Sequence, residues 1–182
     1  MPNYKTEGII IKRINFAEAD RILTIFTKHY GKIKAIAKGI RRIKSRRAPH
    51  LELFNDVSLF LAKGKDLDII TEAQLINSFS NLRKDLRKIG LGFEICELVD
   101  QLTREGQVQR RVFNLLLACL NDLNHLNKEE RRKVEAFKKE LLEELGFLPS
   151  GKSLEKIDIN RVIEQIIEKK LKSKKFLENL VE

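Results

Sequence analysis

The hydrophobic period of this chain changes once, near residue 80, and that change divides what either part can fold into. Up to Phe79 the apolar residues come in short runs rich in Ile and Phe, separated by Gly, Asn and Asp. Such runs read as strands. Five are expected, at residues 5–14, 21–27, 32–40, 57–62 and 67–75. Tyr30-Gly31 and Gly64-Lys65-Asp66 are hairpin-length links holding a glycine, and the longest link follows the third strand. Five short strands so spaced suggest a small closed barrel of the OB type, although an SH3-like barrel has similar strand statistics.

From Asn81 the spacing becomes helical. Leu82, Leu86, Ile89, Phe93, Cys96 and Val99 recur at steps of three and four, as do Val108, Val112, Leu115, Leu116, Cys119 and Leu123. A third helix with Val134, Phe137, Leu141, Leu142 and Leu145 is expected to start after Asn127, with Glu130 as a capping partner, and to stop at Gly146 and Pro149. A fourth carries Ile159, Val162, Ile163, Ile166 and Ile167, and a basic tail follows from Lys169, with residues 176–181 docking or forming a last short helix. The expected fold class is α+β multidomain: a five-stranded OB-fold β-barrel at residues 1–80 and an all-α helical domain at residues 81–182.

Charge is distributed as unevenly as hydropathy. Between Arg21 and Leu51 there is no Asp or Glu, yet Arg21, Lys28, Lys32, Lys34, Lys38, Arg41, Arg42, Lys44, Arg46 and Arg47 all fall there; these ten cations equal the net charge of +10 for the whole chain. Concentrated charge makes a local field that attracts polyanions, and a solvated charge run ordinarily includes carboxylates. All ten are candidate nucleic-acid-binding residues, and DNA-binding ones if the polyanion is DNA. Lys32, Lys34 and Lys38 are expected on one strand face at about 7 Å per two residues, a phosphate-tracking arrangement, with the other five following residue 40 extending the field onto a loop. Among the aromatics, Phe16 and Tyr30 flank turns and are the candidates for base stacking, while Phe26, Phe54, Phe60 and Phe79 read mostly as core. Binding of this kind is salt-sensitive and weakly sequence-selective.

Other chemistry finds no support. His29, His50 and His125 are scattered and each stands near a turn. Ser150-Gly151-Lys152-Ser153 lacks the strand and first glycine of a phosphate loop. Glu140, Glu143 and Glu144, with Lys138 and Lys139, read as the wet face of a helix. Cys96 and Cys119 have no partner at ligand spacing and read as core. No metal, cofactor or enzymatic activity is expected. No apolar run is long enough to span a membrane and the N-terminus lacks a secretory h-region, so a cytoplasmic protein is expected.

Several motifs together resemble the RecO family of bacterial DNA repair proteins. They are Glu18-x-Asp20-Arg21-Ile22, Thr24-x-Phe26-Thr27, Tyr30-Gly31-Lys32-Ile33 and Ala37-Lys38-Gly39-x-Arg41-Arg42-x-Lys44-Ser45-Arg46. Leu51-Glu52-Leu53-Phe54, Leu67-Asp68-Ile69-Ile70-Thr71-Glu72-Ala73 and Leu145-Gly146-Phe147-x-Pro149 follow in the family's order. The resemblance implies a non-enzymatic recombination mediator that binds single- and double-stranded DNA and anneals complementary strands. It implies work with RecR to load RecA onto DNA coated by single-strand-binding protein, and contact between the helical half and that protein's acidic C-terminal tail. For the tail, Arg104, Arg110, Arg111, Arg131, Arg132 and Lys133 are the candidate cations. Many members carry a four-cysteine zinc motif after the Gly-aromatic-x-Pro element; residues 150–182 contain no cysteine, which removes zinc from the expectation. The competing reading is an OB-fold RNA-binding or ribosome-associated protein, since a cationic barrel does not by itself separate DNA from RNA.

Overall fold

The computed structural model describes residues 2–125, 128–149, 158–167 and 173. Five strands, β1 (Asn3–Phe16), β2 (Asp20–Thr27), β3 (Gly31–Ala37), β4 (Asp56–Ala62) and β5 (Asp68–Asn77), close into a barrel in the order β1-β2-β3-β5-β4. This is the OB fold. Closure depends on the length of β1. Its first part, Asn3 to Ile9, pairs with β4, and its later part, Gly8 to Phe16, pairs with β2. A register shift between Ile10 and Lys12 lets the strand bend between these two neighbours. The remaining seam, between β3 and β5, is parallel and short, with Ala35 opposite Asp68 and Ile36 opposite Ile69.

Alternation along the strands fills the barrel. Ile10, Leu23, Ile25, Ala35, Ala37, Leu59 and Ile70 are buried, and Ile40, Leu51 and Phe54 from the link between β3 and β4 join them. The β3 pattern differs from the expected row of three lysines facing water. Lys34 and Lys38 are exposed, but Lys32 is buried.

Beyond the barrel the described residues include a 3-10 turn at Leu82–Lys84 and the helices α1 (Leu86–Leu102), α2 (Arg110–His125), α3 (Glu130–Glu144) and α4 (Ile159–Ile167). The chain forms two compact units, one of Met1–Phe79 with Thr103–Phe113, the other of Ser80–Leu102 with Asn114–Glu182. The segment Thr103–Phe113 therefore returns to the barrel, where a single cut at residue 80 leaves it with the helices. Its grip explains a glycine. Gly31 has φ +67°, and a Cβ there would stand 2.1 Å from the carbonyl oxygen of Gln107.

In the helical unit Ile95, Leu98, Leu116, Leu120, Val134, Phe137, Leu141 and Ile163 make the core, joined as expected by Cys96 and Cys119. Lys138 corrects the reading of α3's wet face. Only 3% exposed, its ammonium reaches Glu94 at 2.7 Å, Glu135 at 2.6 Å and the side-chain oxygen of Asn160 at 2.9 Å. One buried cation thus ties α1, α3 and α4 together, because an unpaired charge there is prohibitive. The expected cap is also different: α3 begins at Glu130 itself, after Glu129, which makes no side-chain cap bond, and Asn127 lies outside the described residues. The end of α3 is as expected, with Gly146 at φ 79° and Phe147 N–H returning to the Leu142 carbonyl at 2.8 Å. The basic tail from Lys169 and the short helix expected at 176–181 lie outside the described residues.

Candidate nucleic-acid interface

The link between β3 and β4, residues 38–55, is built of turns and would be costly to order without ties. It has many. Gly39 N–H donates to Asp20 Oδ1 at 2.7 Å and Arg41 N–H to the Ala19 carbonyl at 2.9 Å, which pins the start of the loop to the β1–β2 hairpin. Arg47 donates from Nη1 to the Ile70 carbonyl at 2.5 Å and from Nη2 to the Lys38 carbonyl at 2.8 Å, crossing the loop's base. His50 Nδ1 lies 2.8 Å from the Ala73 carbonyl, and Asn55 Nδ2 donates to the carbonyls of Pro49 and His50 at 3.0 and 2.8 Å. The backbone is held while its outward side chains stay in water.

That arrangement divides the ten candidate cations. Lys38, Arg42, Lys44 and Arg46 are exposed and carry no ion pair among the described residues. Arg41 is exposed too, with one bond from Nη1 to the Ala17 carbonyl at 3.3 Å. The others have partners. Arg21 reaches Glu52 at 3.1 Å and Asn15 at 3.1 Å, and Lys28 reaches Glu7 at 2.8 Å. Lys34 is ion-paired with Glu105. Lys32, 6% exposed, donates to the Thr103 carbonyl at 2.7 Å, while its own carbonyl accepts from Gly106 N–H at 2.9 Å. Its ammonium is a clasp for the returning segment and is closed off from any polyanion. Sequence reading missed Arg13, which meets the same Glu52 carboxylate as Arg21. A charge count starting at Arg21 passes over it, although Arg13 and Asn15 share a strand face by their spacing.

Of the two stacking candidates, Phe16 is half exposed, and Tyr30 packs against Tyr4 with ring centres 4.5 Å apart. Phe26, Phe54 and Phe79 are core, as expected, whereas Phe60, read with them, is exposed. Tyr4 donates its hydroxyl to Asp68; burial and that carboxylate push the phenol up, so it stays protonated. Burial also opposes ionisation of Asp68, but the Tyr4 hydroxyl, the Gly64 N–H and Lys63 outweigh it and hold the carboxyl below its ordinary value. Asp56 is the reverse case. Burial first, then the neighbouring Glu7, raise its carboxyl to about 6, against the opposing pull of Lys28 and the Val57 N–H. Among the described residues its Oδ1 has no hydrogen-bond partner.

The six cations considered for an acidic tail are not one group. Arg104, Arg110 and Arg111 belong to the barrel's unit, where Arg110 lies 3.3 Å from His29 Nδ1. Arg131, Arg132 and Lys133 belong to the helical unit; Arg132 is 3.7 Å from Glu129 and Lys133 is 3.1 Å from Asp122. Among the described residues no three His, Cys, Asp or Glu gather as metal ligands, and no helix is long and apolar enough to cross a membrane. Both thiols are kept protonated by burial, that of Cys119 pushed up to about 12.

Comparison with known proteins agrees with the barrel-then-helices order. The model for "Recombination protein O N terminal" matches residues 1–79, and that for "Recombination protein O C terminal" matches residues 83–153. The chain belongs to the RecO family. Curated RecO relatives include the DNA repair protein RecO of Roseiflexus sp. (strain RS-1), 40% identical over 146 residues, covering 80% of this chain and 51% of that protein. The DNA repair protein RecO of Symbiobacterium thermophilum is 37% identical over 150 residues, covering 82% of this chain and 59% of that protein. That of Acetivibrio thermocellus is 37% identical over 148 residues, covering 81% and 59%. The chain thus spans between half and three-fifths of the length of these RecO relatives.

Proposed function

We propose that this chain acts in DNA repair and recombination as a non-enzymatic mediator, binding and annealing single-stranded DNA and helping to load RecA onto DNA coated by single-strand-binding protein. The observation that carries the reading is the loop at 38–47, where Lys38, Arg42, Lys44 and Arg46 stand in water, without an ion pair among the described residues, on a backbone pinned from both sides. Guanidinium and ammonium groups carried on a held backbone meet phosphates without first surrendering ion-pair partners. Arg41 borders this set; Arg21, Lys28 and Lys34 add field at its edge while holding their own carboxylates. Membership in the RecO family, whose curated relatives are named as DNA repair proteins, supports DNA over other polyanions.

In this reading the barrel with its returning segment is the DNA-binding domain and the helical part receives partners. RecR and the acidic C-terminal tail of single-strand-binding protein are the proposed ones, and the nucleoid is the proposed location. Since Arg104, Arg110 and Arg111 lie in the barrel's unit, Arg131, Arg132 and Lys133 on α3 are the better placed for a tail bound by the helices. Two titrations of the full chain test this. Labelled single-stranded DNA should bind saturably and be displaced more weakly by RNA of the same sequence; equal displacement would favour the RNA-binding alternative. A labelled acidic tail peptide should bind, and charge reversal at Arg131 and Arg132 should weaken it; unchanged binding would move the peptide off α3.

A further inference from the structure

The tip of the link between β3 and β4 carries the most exposed large apolar side chain among the described residues. Ile43 is fully exposed, whereas Leu86, next in order, is 61% exposed and Ile14, Phe16 and Val108 are half covered. Local geometry puts it there. Ile40, three residues earlier, is buried in the barrel core, and two turns then carry the chain outward. Arg42 N–H donates to the Gly39 carbonyl at 3.2 Å and Ser45 N–H to the Arg42 carbonyl at 2.9 Å. Ile43 and Lys44 are therefore the two central residues of the second turn. Such positions ordinarily go to Gly, Pro, Asn, Asp or Ser, which turn the chain without presenting a branched hydrocarbon. The bonds of Gly39 to Asp20, Arg41 to Ala19 and Arg47 to Ile70 and Lys38 hold the turn from both sides. Branching at Cβ restricts the Ile43 rotamers as well, so the apex is stiff.

A single exposed apolar residue in a mixed surface needs no explanation. Ile43 stands in a different setting. Arg41, Arg42, Lys44 and Arg46 around it are all exposed, and the last three carry no ion pair among the described residues. Cations fit phosphates, and phosphates seated on both sides of the apex bring Ile43 into a groove. In a duplex the largest apolar surfaces are the base faces, which an aliphatic side chain reaches only by entering between two stacked base pairs. Proteins that kink DNA use Ile, Leu, Met or Phe in this way, and the phosphate contacts beside the wedge offset the unstacking. The cost is smallest where stacking or pairing is already weak. An aliphatic apex among phosphate-binding cations thus selects weak steps without a hydrogen bond to any base.

We propose that Ile43 is an unstacking wedge, which enters duplex DNA between base pairs and makes this chain bind a mismatched duplex more tightly than a fully paired one; this rests on the DNA-binding reading above. The test uses anisotropy of two labelled duplexes of one sequence, fully paired or with one central mismatch, each carrying 2-aminopurine beside the central position. That base brightens when it is unstacked. The full chain should bind the mismatched duplex at least about fivefold more tightly than the paired one, with a rise in 2-aminopurine emission. Ile43→Ser should bring the preference to within about twofold and abolish the rise, and Ile43→Leu should keep both. Both variants should keep the parent's salt slope, because no cation is removed, and its thermal transition, because the side chain is uncovered. A folded Ile43→Ser variant that keeps the preference or the rise, or a parent that binds DNA without either effect, overturns the wedge and leaves the DNA-binding reading standing. Failure of the parent to bind either duplex or the single strand overturns that reading and the wedge together. Phosphatidylglycerol vesicles complete the comparison: binding to them that Ile43→Ser removes, with no mismatch preference in the parent, overturns the wedge and gives the apex to an anionic membrane surface.

Discussion

The cations of β2, β3 and the turn between them differ from those of the loop that follows in what they touch. Arg21, Lys28, Lys32 and Lys34 each reach a group of the protein: Glu52, Glu7, the Thr103 carbonyl and Glu105. Lys38, Arg42, Lys44 and Arg46 reach no carboxylate among the described residues. A sequence without Asp or Glu from Arg21 to Leu51 hides this difference, because every one of those carboxylates and the carbonyl comes from outside that span or lies just beyond its end. Cations on strands meet neighbours by register. Cations on a pinned loop meet solvent, and they are the ones available to a polyanion without first giving up a partner.

If buried cations serve the fold, removing one should be felt first in stability. Lys138→Met should be the largest case, costing about 3–5 kcal/mol, since it strands the buried Glu94 carboxylate without its partner. Lys32→Met should cost about 1–3 kcal/mol through the Thr103 carbonyl left without this donor. Urea unfolding measures both. Wild-type stability for Lys32→Met together with weakened DNA binding would move Lys32 into the other group and break the comparison.

Asp56 sharpens the same comparison from the acidic side, because Lys28 is shared between Glu7 and this buried carboxyl. With its folded value raised to about 6 against about 3.9 unfolded, ionisation is disfavoured in the fold. The group's contribution is therefore most favourable below pH 4 and is lost as pH rises through 6. Asp56→Asn should gain about 1–3 kcal/mol at pH 7.5, a gain that fades toward pH 4. A gain independent of pH would remove the titration of Asp56 as its cause. The smallest expected effect belongs to the loop: replacing Lys38, Arg42, Lys44 and Arg46 together by Ala should change stability by no more than about 0.5 kcal/mol.

Hydrophobic period made the barrel and the helices legible, since Leu23, Ile25, Ala35 and Ala37 alternate inward and Cys96, Val99, Val112, Leu116, Cys119 and Leu123 are buried at helical steps, although Leu86, Phe93 and Val108 of the same expected stripes are exposed. Turn chemistry added the ends, at Gly31 and Gly146. What stayed hidden depends on contacts distant in sequence. Lys32 meets Thr103 across seventy-one positions, and the return of Thr103–Phe113 to the barrel carries no local signal beyond its polar, glycine-containing composition. Lys138 looks like its neighbour Lys139 until Glu94 and Asn160 are brought to it by two other helices. Arg47 belongs to the same cationic run as Arg46, yet it spends its guanidinium on the Ile70 and Lys38 carbonyls.

The claim that the loop, rather than the strands, faces DNA is tested most directly by the salt dependence of single-stranded DNA binding. The full chain is compared with the variant in which Lys38, Arg42, Lys44 and Arg46 are all Ala. Each phosphate that is no longer neutralised should lower the slope of log K against log salt by about 0.7, so the variant's slope should be smaller by up to roughly 3, with weaker binding at every salt concentration. A folded variant that keeps the parent's slope and affinity would contradict the account and place the DNA surface elsewhere.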